Sequence, residues 1–221
     1  MITKYILIVH GEPFSIFSEI IGKYFSKIKK YKKKIIVIGN ISLIQKQLNL
    51  LKFKLIFNLI ENIDEAKINK INLINIDFKY KKAFDKITEK SNVYINECFK
   101  KSLEIINSNK NKVVLINGPV SKKTFLKKKY LGITEFLSKK TQTVNQVMLI
   151  YNKDFSVSPL TTHIPIKHVN KQISKEKIYN NVIKINKFFI KKIKLKPKIA
   201  ILGLNPHNAE LRKKSEEKCC V

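Results

Sequence analysis

Short unbroken apolar runs alternate along this chain with stretches in which apolar residues recur every three or four positions. Tyr5-Ile6-Leu7-Ile8-Val9 has the length of one buried strand. Residues 17–28 follow, with Ile20, Ile21, Tyr24, Phe25 and Ile28 at helical spacing. Residues 34–38 predict a second strand, ended by Gly39-Asn40, and 42–51 a second helix. Weaker strands are predicted at 55–57 and 73–76, and a longer helix over 93–106 that turns Phe99, Leu103 and Ile106 inward. Val113-Val114-Leu115-Ile116 reads as the cleanest buried strand, closed by Asn117-Gly118-Pro119. Later strands are predicted at 147–150, 157–162 and 199–202, with a helix over 175–193 between the last two. Strands interleaved with helices specify an α/β fold: a largely parallel sheet with helices on both faces.

No internal repeat and no Pro/Gly/Ser-rich linker interrupts this alternation. Residues 1–221 therefore read as a single α/β unit, with 211–221 a divergent polar tail lacking periodicity. The apolar fraction of 44% is ample for a packed core. No apolar run reaches membrane-spanning length, and the first run leads straight into Gly11-Glu12-Pro13, as a strand does and a signal peptide does not. Cys98, Cys219 and Cys220 show neither metal-ligand spacing nor a paired disulfide pattern, which suits a reducing compartment; a cytoplasmic location is expected.

The net charge of +29 changes this picture less than its size suggests. Arg212 is the only arginine, so the charge is carried by lysine. Specific phosphate and base recognition leans on the planar arginine fork. Dispersed lysines, including Lys32-Lys33-Lys34 and Lys127-Lys128-Lys129, read as solvated faces. A nucleic-acid partner is not expected. The competing reading is a non-catalytic lysine-rich α/β module that binds polyanions such as nucleic acid, with strongly salt-dependent affinity.

Candidate chemistry sits at the predicted strand ends, where open α/β sheets assemble their sites. Gly11 to Ile20 turns the first strand into the first helix, whose N-terminus could hold an anion. His10 adjoins that loop, and Lys122 follows Asn117-Gly118-Pro119-Val120-Ser121. Gly132-Ile133-Thr134-Glu135 begins a helix, with Thr134 available as a cap or a ligand contact. Thr161-Thr162-His163-Ile164-Pro165 and Gly203-Leu204-Asn205-Pro206-His207 each place a histidine after a predicted strand. Two neutral imidazoles can begin a divalent-metal site, but a closed or catalytic site ordinarily needs a third protein ligand. His168 reads as ordinary surface.

In their order, the segments 11–20, 115–120, 132–137, 161–165 and 197–207 resemble the PdxA family of 4-hydroxythreonine-4-phosphate dehydrogenases. The resemblance implies a fold of the isocitrate and isopropylmalate dehydrogenase class, a homodimer and a divalent metal (zinc, magnesium or cobalt). It also implies NAD-dependent oxidation and decarboxylation of 4-phosphooxy-L-threonine to 3-amino-2-oxopropyl phosphate, in pyridoxal phosphate (vitamin B6) biosynthesis. By the same resemblance His163 and His207 are metal ligands and Thr134 touches the phosphorylated amino-acid substrate. Two positions depart from the family pattern: Ile133 stands where a substrate-binding histidine is usual, and Glu12 where aspartate is usual. The chain also ends before the family's C-terminal third, which carries the third metal histidine and most of the NAD site. Impaired activity is therefore expected of the 221-residue form.

Overall fold

The computed structural model describes residues 3–28, 30–109, 112–127 and 129–204. Five parallel strands form one sheet in the order β3-β4-β2-β1-β5: β1 (Tyr5–Val9), β2 (Lys34–Gly39), β3 (Phe57–Leu59), β4 (Ile71–Asn75) and β5 (Val113–Asn117). Every pairing is parallel, with Leu7 beside both Ile36 and Leu115 at the centre. Helices α1 (Phe17–Lys27), α2 (Ile41–Leu50), α3 (Asn92–Ser108) and α4 (Ile133–Lys140) occur among the strands.

The period of two along the strands divides the core between the two faces. On β2, Ile35 and Val37 join Phe17, Ile21 and Phe25 of α1 and Ile44 and Leu48 of α2. Ile36 and Ile38 turn the other way, with Leu7 and Val9, to meet Tyr94, Ile95 and Phe99 of α3 and Phe136 of α4. Helices thus cover both faces, as the alternation of runs predicts.

Packing corrects several details. On α1 the buried side is Phe17, Ser18, Ile21, Gly22 and Phe25, while Ile20 and Tyr24 are exposed. Gly22 explains the choice: a Cβ there would lie 2.4 Å from Phe53 Cδ2, so this side of α1 can seat an aromatic ring closely. The third strand begins at Phe57, two residues beyond the predicted start, and only three residues pair. β5 is an edge strand among the described residues, and Val114 and Ile116 are 43% and 48% exposed. An apolar run alone does not distinguish an edge from a centre.

Residue packing groups the chain into two compact units, Met1–Thr141 and Gln142–Val221, where the unbroken alternation reads as one. In the second unit, α5 (Lys175–Phe188) continues into a π-helical turn, Phe189–Ile193, matching the predicted helix. The strands predicted at 147–150, 157–162 and 199–202 do not form. A single antiparallel bridge joins Ile150 to Val157, and 199–202 has no ladder partner among the described residues. A strand exists only with a neighbour to receive its backbone hydrogen bonds. Ile201 and Leu202 are accordingly 64% and 88% exposed.

Candidate functional site

From β1 the chain passes through α1 to β2 on one side, whereas β5 lies on the other side of β1. The loops after β1 and β5 therefore flank the point where strand order reverses, the usual crevice for ligands in open α/β sheets. Here the two loops are fastened together. Gly118 N donates to Val9 O at 2.7 Å, and Glu12 N donates to Pro119 O at 2.8 Å. Gly11 has φ +75°, and a Cβ there would lie 2.4 Å from Pro119 O. A Cβ at Gly118 would lie 2.2 Å from His10 O. These glycines serve a backbone-to-backbone approach. The first amide of α1, Phe17 N, is taken by Ser15 Oγ at 3.3 Å.

Several polar side chains around this junction are buried, among them His10, Asn40, Tyr94 and Glu12. His10 is fully buried, with Nδ1 2.7 Å from the Tyr94 hydroxyl. Asn40 N donates to the same hydroxyl oxygen at 2.8 Å. The Tyr94 oxygen and His10 Nδ1 share one hydrogen, carried by the hydroxyl or by the ring according to the imidazole tautomer. Nε2 has no partner among the described residues. Burial holds the His10 imidazole down at about 3, so it is neutral in the fold. Asn40 also caps α2, accepting from Leu43 N through Oδ1 at 3.0 Å. Burial raises the Tyr94 phenol well above its ordinary range.

Glu12 is 1% exposed, and burial raises its carboxyl above the ordinary value. Behind it, Gln47 bridges three elements: Nε2 donates to Pro13 O at 2.8 Å and Ala83 O at 2.7 Å, and Oε1 accepts from Ser18 Oγ. Asn92 Nδ2 donates to Thr124 O at 3.0 Å, tying the start of α3 to the loop after β5. The first turn of α3 thus reaches the ends of β1, β2 and β5.

The residues singled out by sequence are placed unevenly. Thr134 lies in the first turn of α4, half-buried; Gly132 holds the cap position, so Thr134 does not cap the helix. Its hydroxyl makes no hydrogen bond among the described residues. Ile133 packs against the core cluster beneath α3 and α4, so the residue standing for the family's histidine contributes apolar contact. Lys122 is exposed. His163 is exposed at φ +56°, a conformation that histidine adopts more readily than most residues, and no strand precedes it. His168 ends an exposed 3-10 turn, Ile166–His168, as ordinary surface. His207 lies outside the described residues, as do Cys219, Cys220 and the tail 211–221. Cys98 is buried, its thiol pushed up to about 12 by burial, which makes it a packing residue.

Among the described residues, no three His, Cys, Asp or Glu side chains converge as a metal site would require. His163 and His168 are exposed, but a lone imidazole is a donor set too small to hold a divalent ion.

Tyr94, Ser91 and Asn92 carried no sequence signal, since a helical Tyr or a cap-region Ser has many uses. Asn40 did have one: an Asn immediately before an apolar periodic run is a helix-start signature.

A parallel sheet covered on both faces, with polar side chains gathered at the carboxyl ends of its strands, defines an open α/β protein. The family model described as pyridoxal phosphate biosynthetic protein PdxA matches residues 31–219. The chain belongs to this family. It is 34% identical over 206 residues to a 4-hydroxythreonine-4-phosphate dehydrogenase of Sulfurihydrogenibium sp. (strain YO3AOP1), covering 90% of this chain and 62% of that protein. It is 32% identical over 212 residues to the protein of that name from Aquifex aeolicus (strain VF5), covering 94% and 65%. A crystal structure of a 4-hydroxythreonine-4-phosphate dehydrogenase from Burkholderia phymatum superposes with a TM-score of 0.83 at 22% identity, over 99% of this chain and 68% of that one. That likeness establishes the fold. The chain spans less than two thirds of the length of both curated relatives.

Proposed function

We propose that this chain takes part in NAD-dependent, metal-assisted oxidation and decarboxylation of 4-phosphooxy-L-threonine to 3-amino-2-oxopropyl phosphate, in pyridoxal phosphate biosynthesis. Membership of the PdxA family carries the reading, supported by two relatives above 30% identity that bear the dehydrogenase name. Thr134 is assigned to substrate contact, and its unpaired, half-buried hydroxyl suits that role. His163 and His207 are assigned as metal ligands, with the free exposed imidazole of His163 in support. When bound, a divalent zinc, magnesium or cobalt ion supplies Lewis acidity toward the substrate oxygen, and NAD supplies the hydride acceptor. The proposal includes a homodimer and a cytoplasmic location. No helix among the described residues is long and apolar enough to cross a membrane.

The lysine excess needs no polyanion partner. The three ion pairs among the described residues all involve exposed side chains, as solvated faces would show.

The test combines two measurements on the purified chain. NADH formation is followed with 4-phosphooxy-L-threonine and NAD, and zinc binding is titrated in the wild type, His163→Ala and His207→Ala. Substrate-dependent NADH, or zinc binding lost in both variants, supports the reading. Neither NADH nor histidine-dependent zinc binding would overturn it.

A further inference from the structure

Asn117-Gly118 is the only Asn-Gly pair in the sequence, and it stands at the end of β5. A glycine after an asparagine leaves its own amide nitrogen unhindered, since it has no side chain. Where the backbone is free to turn, that nitrogen attacks the Asn117 side-chain carbonyl carbon, Cγ. The bond from Gly118 N to Cγ forms and the Cγ–Nδ2 bond breaks. The Gly118 amide proton passes through solvent to the departing ammonia. Water then opens the five-membered imide at either carbonyl. The products are aspartate or isoaspartate, the latter with one extra carbon in the main chain. Asn117 is exposed, so water reaches its side chain.

The fold restrains each reacting group. Asn117 pairs opposite Val9 in the parallel ladder, which fixes its backbone as extended chain. Gly118 is buried, and its N–H donates to Val9 O at 2.7 Å. The side-chain amide is also held, with Asn117 Nδ2 donating to Gly118 O at 3.1 Å. Just beyond the pair, Pro119 O accepts from Glu12 N at 2.8 Å. Ring closure needs the Gly118 nitrogen out of its peptide plane and facing Cγ, which breaks the bond to Val9 O.

We propose that Asn117 is a deamidation site guarded by the tertiary structure, so that modification waits on opening of the junction between the loops after β1 and β5. Its rate in the folded chain is the unfolded-chain rate multiplied by the fraction of time the junction is open. The isoaspartate form is one main-chain atom too long to restore the Gly118 and Glu12 ties together. A chain modified while open does not regain the native junction. The glycine that makes Asn117 labile is also the one the junction demands, because a Cβ there would lie 2.2 Å from His10 O. The inference rests on these backbone contacts and is independent of the dehydrogenase reading.

The test uses the full chain, incubated at mildly alkaline pH in native buffer or in denaturing guanidinium chloride. Trypsin releases residues 113–122, in which Asn117 is the only asparagine. Chromatography with mass spectrometry separates the asparagine, aspartate and isoaspartate forms of that peptide. Deamidation at Asn117 should be about tenfold or more slower in native buffer than in denaturant. In denaturant Asn117 should react faster than every other asparagine. After refolding, the aged wild type should show a lower thermal midpoint than Asn117→Gln aged alike. A smaller ratio of rates would overturn the guard, and no preference for Asn117 in denaturant would overturn the site. An isoaspartate-bearing chain that recovers the full midpoint would contradict the loss of the junction. If neither chain refolds, the ratio of rates decides.

Discussion

The Tyr94 hydroxyl stands 2.7 Å from His10 Nδ1 and also receives Asn40 N–H at 2.8 Å, joining a helix to the ends of two adjacent strands through one oxygen atom. All three residues are at most 5% exposed, so no solvent replaces a missing partner. Removing that oxygen orphans a backbone donor and an imidazole nitrogen together. Tyr94→Phe should therefore lower unfolding stability by about 1–3 kcal/mol, the range for leaving buried polar groups unsatisfied. Urea denaturation of the two proteins reads this directly, and an unchanged midpoint would show that the contact contributes nothing.

Burial of His10 makes stability depend on pH. Its folded value of about 3 lies below the ordinary 6.5, so between these values the unfolded chain binds more protons. Stability contributed by neutral His10 is complete above 6.5 and is lost as pH falls toward 3. Urea midpoints at pH 7 and pH 5 should show a drop in the wild type that is smaller in His10→Gln. Equal drops would mean that other groups carry the acid sensitivity.

Glu12 gives the opposite slope. Its folded value is raised, so its contribution is present below 4.5 and is lost as pH rises through the folded value. Comparing Glu12→Gln with wild type from pH 4 to pH 8 should reveal a wild-type loss toward higher pH that the glutamine variant lacks. Parallel curves would contradict a raised value.

Gly118→Ala should damage the fold more than its one methyl group suggests. The added Cβ would meet His10 O at 2.2 Å, and the β1 backbone cannot turn aside as a flexible side chain could. Overpacking of this kind costs roughly 1–3 kcal/mol or more. A thermal midpoint equal to wild type would mean that the two loops separate easily.

His163 should behave in the reverse manner. Its side chain is exposed, and asparagine tolerates its left-handed backbone, so His163→Asn should change stability by less than about 0.5 kcal/mol. Zinc affinity should fall in the same variant. Loss of stability with unchanged zinc binding would make this histidine a structural residue.

Much of the first unit was legible in the sequence because its signals are local. Tyr5–Val9, Lys34–Gly39 and Val113–Asn117 are apolar runs of strand length, and α3 shows its Phe99 face at helical spacing. The same signal failed at 199–202, an equally apolar run, because pairing depends on a neighbour that no local pattern names. Likewise Ile20 and Tyr24 have the spacing of a buried face, but Gly22 against Phe53 selects another side of α1.

The candidate chemistry divides in the same way. Motif order alone identified the family and pointed to Thr134, His163 and His207, since those residues sit in short contiguous segments. Nothing local connects His10 with Tyr94, 84 positions away, or Asn92 with Thr124, 32 positions away. Those relationships arise only when α3 packs across β1 and β2, because burial and the distance between groups are properties of the assembled core. The sequence determined the strand-and-helix alternation and the family. The tertiary structure decided which polar groups lost water together, and therefore which of them must satisfy one another.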